Sequence, residues 1–175
     1  MKIEIPGYVK GLMDQLNQNR YECYIVGGAV RSLLLDLPVH DYDLTTNALP
    51  EQMKEVFALY KTIETGLKHC TLTVLSAHHP VEITTYRKDS AYQDHRHPDA
   101  VQFTSAIEED CARRDFTINA FCYNEQDGLR DFFHGKEDLE KHILRCIGDP
   151  EQRFDEDALR ILRAVRFAAQ LHFQI

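Results

Sequence analysis

The sequence predicts an α+β domain that gives way to an all-helical segment. Three observations point there. Short β-rich runs such as "ECYIV" (22–26), "DYDLTT" (41–46), "HCTLTVLS" (69–76) and "VEITTYR" (81–87) alternate with short helical patterns. The 175 residues, 43% hydrophobic and 27% charged, suffice for one good core or for one domain plus the start of another. After Gly148-Asp149-Pro150 the pattern turns helical and stays so. We therefore place one domain over 1–147 and the truncated beginning of a helical one over 148–175.

Taken in order, Val9, Leu12, Met13 and Leu16 recur at helical spacing and predict a helix from Gly7 to Asn17. "ECYIV" reads as a strand, "GG" as a turn and "AVRSLLL" (29–35) as a short helix. "DYDLTT" is the next strand, and "LPEQMKEVFALY" is a helix whose Pro50 suits a first turn. "KTIETG", "HCTLTVLS" and "VEITTYR" are β-rich, with "HHP" (78–80) as a hairpin connection. Residues 87–105 read as a long polar loop. "IEEDCARRDFTINAFCYN" (107–124) reads as helix and "GLRDFF" as a small strand. "DEDALRILRAVRFAAQLHF" reads as one amphipathic helix with Leu159, Leu162, Val165 and Phe167 or Ala169 on its apolar side.

Composition narrows the function classes. The five cysteines, Cys23, Cys70, Cys111, Cys122 and Cys146, form no CxxC pair and are odd in number, which favours a reducing cytoplasm. No apolar run reaches membrane-spanning length, and no signal-peptide pattern opens the chain, so the expected location is cytoplasmic with no membrane partner. A net charge of −8 argues against a nucleic-acid-binding domain unless the phosphate-neutralising charge lies elsewhere. A zinc site from His95, His97 and nearby cysteines has no supporting ligand spacing.

The chemistry-bearing residues begin with "HDYDLTT". On a strand, residues i and i+2 share a face, which would set Asp41 and Asp43 side by side, roughly 7 Å apart at the backbone. Like charges there repel unless a cation intervenes. Ten residues earlier, "VGGAVR" joins a strand to a helix through Gly27 and Gly28, with Arg31 one turn in. Alone this is an ordinary tight turn. Beside paired carboxylates it fits metal-dependent phosphoryl or nucleotidyl transfer, in which one divalent ion activates the attacking oxygen and the other steadies the triphosphate. Glu82, in a β-branched strand, is either a third carboxylate or a solvent-facing glutamate.

In "RRDFTINA", Asp115 and Asn119 are four apart and would share a helical face, either gripping a sugar hydroxyl or forming a cap and an ion pair. In "EDALRILRAVR", Asp157 and Arg160 are three apart, and Arg163 and Arg166 continue the series. The plain alternative is a solvated, salt-bridged face. As a base-reading pair, the carboxylate would accept from an exocyclic amine while the guanidinium donates to the adjacent ring nitrogen. Adenine and cytosine present that order; guanine and uracil present the reverse. A good bidentate contact discriminates by roughly 1–3 kcal/mol, and unpaired polar groups against the wrong base add to it.

With these blocks in order, residues 20–172 resemble the head of the class II tRNA nucleotidyltransferase and bacterial poly(A) polymerase family, within the DNA polymerase β superfamily. The resemblance rests on "GGAVRSLLLDLPVHDYDLTT", "RRDFTINA", "FFHGKEDLEKHILRCIGDPEQRF" and "EDALRILRAVRF". It implies a small mixed sheet flanked by helices, then a helical neck. It makes Asp41 and Asp43 the Mg2+ ligands, with Glu82 a catalytic carboxylate beside them. Gly27, Gly28 and Arg31 would meet the nucleotide's phosphates, and Arg114, Asp115 and Asn119 its ribose region. Asp157 and Arg160 match the base-reading template, Arg163 and Arg166 further nucleotide-contacting arginines, and 87–100 the flexible element used in switching from C to A. Ser32 stands where the family often has Asp, and Asp36-Leu37 replaces a common Gly-Arg.

The resemblance implies addition of CMP and AMP, from CTP and ATP, to the tRNA 3′ end, with most of the RNA grip in domains beyond this chain. Poly(A) polymerase, CC-adding and A-adding enzymes are the near alternatives. A small-molecule nucleotidyltransferase or a non-catalytic nucleotide- or RNA-binding module is more distant.

Overall fold

The computed structural model describes residues 3–64, 70–89 and 101–175. Helix α1 (Gly7–Gln18) follows Pro6 and buries Val9, Leu12, Met13 and Leu16, the stripe its periodicity predicts. Strand β1 (Cys23–Val26) is buried throughout and leads into α2 (Gly28–Leu34). Strand β2 spans Asp43–Thr46 and helix α3 Pro50–Val56, with Pro50 in its first turn. Three strands follow, β3 (Lys61–Ile63), β4 (Thr71–Ser76) and β5 (His79–Thr85). The β4–β5 connection is a hairpin, but its turn is Ala77-His78 rather than 78–80, since His79 and Pro80 already pair in β5; Ala77 and His78 take positive φ, 48° and 67°, as a two-residue turn demands.

Beyond β5 the structure corrects several expectations. The ends of the supposed loop 87–105 pair as a ribbon, β6 (Arg87–Asp89) with β7 (Val101–Phe103). His95, His97 and the rest of the 87–100 element beyond Asp89 lie outside the described residues. The stretch 107–124 is not one helix. It divides into α4 (Ile107–Ala112), a 3-10 turn (Thr117–Asn119) and strand β8 (Cys122–Asn124). Asp115 takes a Phe116 N–H bond that a continuing helix would have directed elsewhere, at 2.8 Å. Strand β9 (Gly128–Arg130) completes the strands, and helix α5 (Gly135–Glu140) was not anticipated. Gly135 is required by packing: a Cβ there would lie 2.5 Å from the Thr117 carbonyl oxygen.

The helical end also differs from expectation. It is two helices, α6 (Pro150–Glu156), capped by Asp149, and α7 (Leu159–Leu171), broken at Asp157. Helix α7 turns Arg160, Ala164 and Phe167 inward, whereas Leu159, Leu162 and Val165 are exposed. The apolar side read from the sequence is thus mostly the outer one. Of the inward residues only Phe167 reaches the cleft described below, while Arg160 turns back to the Arg153 carbonyl and Glu156.

Seven strands form one sheet in the order β3-β4-β5-β2-β1-β8-β9. The β2–β5 pair is parallel and its other pairs are antiparallel, so the sheet is mixed, as expected. Register then places the chemistry. Val26 pairs with Asp43 on one side and Cys122 on the other, and Asp43 pairs with Glu82. The Gly27 turn, Asp43, Glu82 and the residues before β8 therefore gather at one end of the sheet.

Candidate functional site

That end opens into a cleft of about 480 Å3, lined among others by Gly27, Gly28, Arg31, His40, Asp41, Asp43, Arg113, Arg114, Asp115, Asn119, Arg163 and Phe167. Gly27 has φ +69° and ψ −133°, where an L side chain is strained, and a Cβ would come within 3.1 Å of Arg114 Nη1. The glycine thus lets an arginine close over the turn.

Asp43 opens β2, while Asp41 precedes the strand rather than standing on it. Both are exposed and both line the cleft. Glu82, exposed on β5, is the parallel partner of Asp43, so the two carboxylates stand on one face about 5 Å apart at the backbone. Glu82 does not line the cleft itself. Desolvation raises the pKa of Asp43 most. Glu82 and Asp41 push it further, and Arg114 opposes them.

Opposite the carboxylates lies an arginine wall. Asp115 is its hub: Oδ1 accepts from Asn119 Nδ2 at 3.1 Å and Oδ2 from Arg163 Nε at 2.7 Å. Asn119 Oδ1 in turn accepts from Arg31 Nη1. Burial lowers the pKa of Arg31; Asp115 offsets this, while Arg163 and Arg166 add to it. Arg166 approaches the Phe167 ring but does not line the cleft. So Arg31, Arg114, Asp115, Asn119 and Arg163 are brought together with Gly27, Gly28, Asp41 and Asp43.

Asp157 and Arg160 are placed differently. Asp157 Oδ1 accepts from the Leu159 N–H at 3.0 Å, at the joint between α6 and α7. Arg160, 5% exposed, donates from Nη1 to the Arg153 carbonyl at 2.7 Å and to Glu156 Oε2 at 3.0 Å. Neither lines the cleft.

Sequence reasoning missed several supports. Asp110, fully buried, accepts from Arg113 Nε at 2.9 Å, Arg87 N at 3.2 Å and Thr45 Oγ1 at 3.2 Å, and lies 3.6 Å from Arg114 Nη2. Arg153 Nη2 donates to the carbonyls of Arg113 and Arg114 at 2.6 and 3.0 Å. The i+3 and i+4 spacing of Asp110 to Arg113 and Arg114 was a usable signal. Nothing local marked Arg153, and helical spacing marked Phe167 only as an apolar residue, not as part of the cleft.

A mixed sheet with carboxylates at one end, facing an arginine-walled cleft, has the form of a nucleotidyltransferase head. The family model described as the poly A polymerase head domain matches residues 23–145, and the chain belongs to that family. Over 164 residues, 94% of this chain and 41% of the relative, it is 52% identical to the CCA-adding enzyme of Lactobacillus helveticus. The corresponding enzyme of Ligilactobacillus salivarius is 46% identical over 94% of this chain and 40% of its own length. Among solved structures, the Bacillus stearothermophilus CCA-adding enzyme in complex with CTP superposes with a TM-score of 0.85 at 41% identity, covering 97% of this chain and 41% of that one. The Thermotoga maritima CCA-adding enzyme complexed with tRNA gives 0.78 at 28% identity, covering 99% and 40%. The chain spans about two fifths of the length of the curated relatives it matches.

Proposed function

We propose that this chain is the catalytic head of a CCA-adding tRNA nucleotidyltransferase, transferring CMP and AMP from CTP and ATP to the 3′ end of tRNA. The observation that carries the reading is the single sheet end where the β1–β2 and β2–β5 registers set Gly27, Asp43 and Glu82 beside the arginine wall. Identities of 46–52% to CCA-adding enzymes favour this reading over poly(A), CC-only or A-only synthesis.

The donor set fits Mg2+. Asp41, Asp43 and Glu82 offer hard oxygen ligands; desolvation raises the Asp43 pKa most and the charges of Glu82 and Asp41 push it further, and a bound divalent cation would oppose both. Among the described residues no three such groups form a ready-made cage. Mg2+ commonly takes only one or two carboxylates, with water and substrate phosphates completing its shell. Asp41 and Asp43 would hold it, and when bound it supplies charge neutralisation at the phosphates and a lowered pKa at the attacking hydroxyl.

The protein's own groups do the rest. Arg31, Arg114 and Arg163 receive the triphosphate's charge, Asn119 holds Arg31 and Asp115 holds Arg163 while both meet the ribose end, Asp110 braces Arg114, and Gly27 and Gly28 admit the phosphates close to the backbone. Glu82 adds negative charge next to Asp43. Asp157 and Arg160 read the base, which requires them to exchange their present partners at the α6–α7 joint for a base edge. Arg166 adds charge at the rim.

We assign 1–147 to the head and 148–175 to the start of a helical neck, supported by the change to α6 and α7 after Gly148. Among the described residues no helix is long and apolar enough to cross a membrane, and we place the enzyme in the cytoplasm. The deciding experiment is equilibrium binding of ATP, CTP, GTP and UTP with magnesium, alongside Asp157→Ala. Selective binding of ATP and CTP, lost in the variant, is the expected result. Binding of ATP alone would move the assignment to A-only or poly(A) synthesis, and a folded chain that binds none would refute it.

A further inference from the structure

Phe167 stands where three positive side chains meet. Its ring, 7% exposed, sits edge-on to the buried Phe116, with centroids 6.0 Å apart and an interplanar angle of 87°. Three guanidinium carbons approach the ring centroid, those of Arg166 at 4.9 Å, Arg31 at 5.0 Å and Arg163 at 5.3 Å. Arg31 comes from α2 and the other two from α7. Significant cation–π pairs occur about once per 70–80 residues, and here three guanidinium groups share one ring.

Like charges this close repel. Burial lowers the pKa of Arg31 most, Asp115, bonded to Arg163, offsets it, and Arg163 and Arg166 lower it further. Among the described residues one carboxylate, Asp115, faces these three cations, which leaves a surplus of positive charge on this side of the cleft. The negative face of an aromatic ring can hold cations without neutralising them, which a second carboxylate could not do. The charge therefore stays available to an anion.

We propose that Phe167 is a positioning residue for the nucleotide's triphosphate: its ring gathers Arg31, Arg163 and Arg166 into a preformed cationic wall spanning α2 and α7. This rests on the reading of the cleft as a nucleotide site. Ordering long arginine side chains before the ligand arrives removes part of the entropic cost of binding.

Fluorination tests this with almost no change in shape, because each fluorine weakens the ring's negative face. Phe167 is replaced by 4-fluoro-, 3,5-difluoro- and 3,4,5-trifluorophenylalanine, with Phe167→Leu as an apolar variant lacking the ring. Kd is measured for CTP and for inorganic tripolyphosphate, and Tm for each protein. We expect Kd to rise with every fluorine, reaching about tenfold for the trifluoro ring, in parallel for both ligands and without a matching fall in Tm. Constant or tighter Kd across the fluorinated series overturns the proposal while leaving the nucleotide site intact. An unsubstituted chain that binds neither ligand overturns the site reading, and the proposal with it.

Discussion

Consider Asp110→Ala. The carboxylate is fully buried and accepts from Arg113, the Arg87 N–H and Thr45, with Arg114 3.6 Å away. Removing one partner of a buried ion pair costs about 3–5 kcal/mol. The Arg113 and Arg114 side chains keep 18% and 19% exposure, so water compensates them in part and we expect about 3 kcal/mol. For a chain of this size that lowers Tm by about 6–12 °C. Asp110→Asn keeps the volume and one acceptor, so it should lose less. Burial alone would raise the Asp110 pKa; the charges of Arg113 and Arg114, with hydrogen bonds from Arg113 and the Arg87 N–H, outweigh it and the net shift is downward. A lowered folded-state pKa means the carboxylate's stabilisation is complete above the unfolded value of about 4 and is lost as pH falls through the folded value. Urea unfolding from pH 7 down to pH 3 reads this directly. The gap between the unsubstituted chain and either variant should hold from pH 7 to about 5 and narrow below about 4. A gap under about 0.5 kcal/mol at pH 7, or one that widens in acid, would refute the role given to Asp110.

Two further outcomes test the cleft. Asp43 has a raised pKa, so its ionised form is disfavoured in the fold and metal-free stability should rise as pH falls through that value. Asp43→Asn should accordingly raise Tm in EDTA at pH 7 while abolishing the stabilisation that Mg2+ gives the unsubstituted chain; a lower Tm in EDTA would contradict the crowding of charge described. Gly27→Ala should cost about 1–3 kcal/mol for its backbone conformation alone, read by urea unfolding, with nucleotide affinity falling as Arg114 is displaced. Unchanged stability would show that the turn relaxes without strain.

How much of this was legible in the sequence varies by element. Local patterns sufficed for α1, for β1, β2, β4 and β5, for the β4–β5 hairpin and for the Gly27 turn, because periodicity and turn chemistry act between near neighbours. They failed at 107–124, where an apolar helical pattern is interrupted by the Asp115–Phe116 bond, and at α7, where Leu159, Leu162 and Val165 face outward. The reading of Asp41 and Asp43 as neighbours on a strand also yields, since β2 begins only at Asp43.

By itself, then, the sequence determined which residue types this protein would bring to its chemistry and the order in which they occur. Only the tertiary structure decided that Glu82 stands beside Asp43, that Asp110 and Arg153 brace the arginine segment, and that one phenylalanine gathers cations from two helices. The physical reason is separation along the chain. Strand register and burial are settled by contacts between residues tens of positions apart, and no local propensity encodes which of those partners will meet.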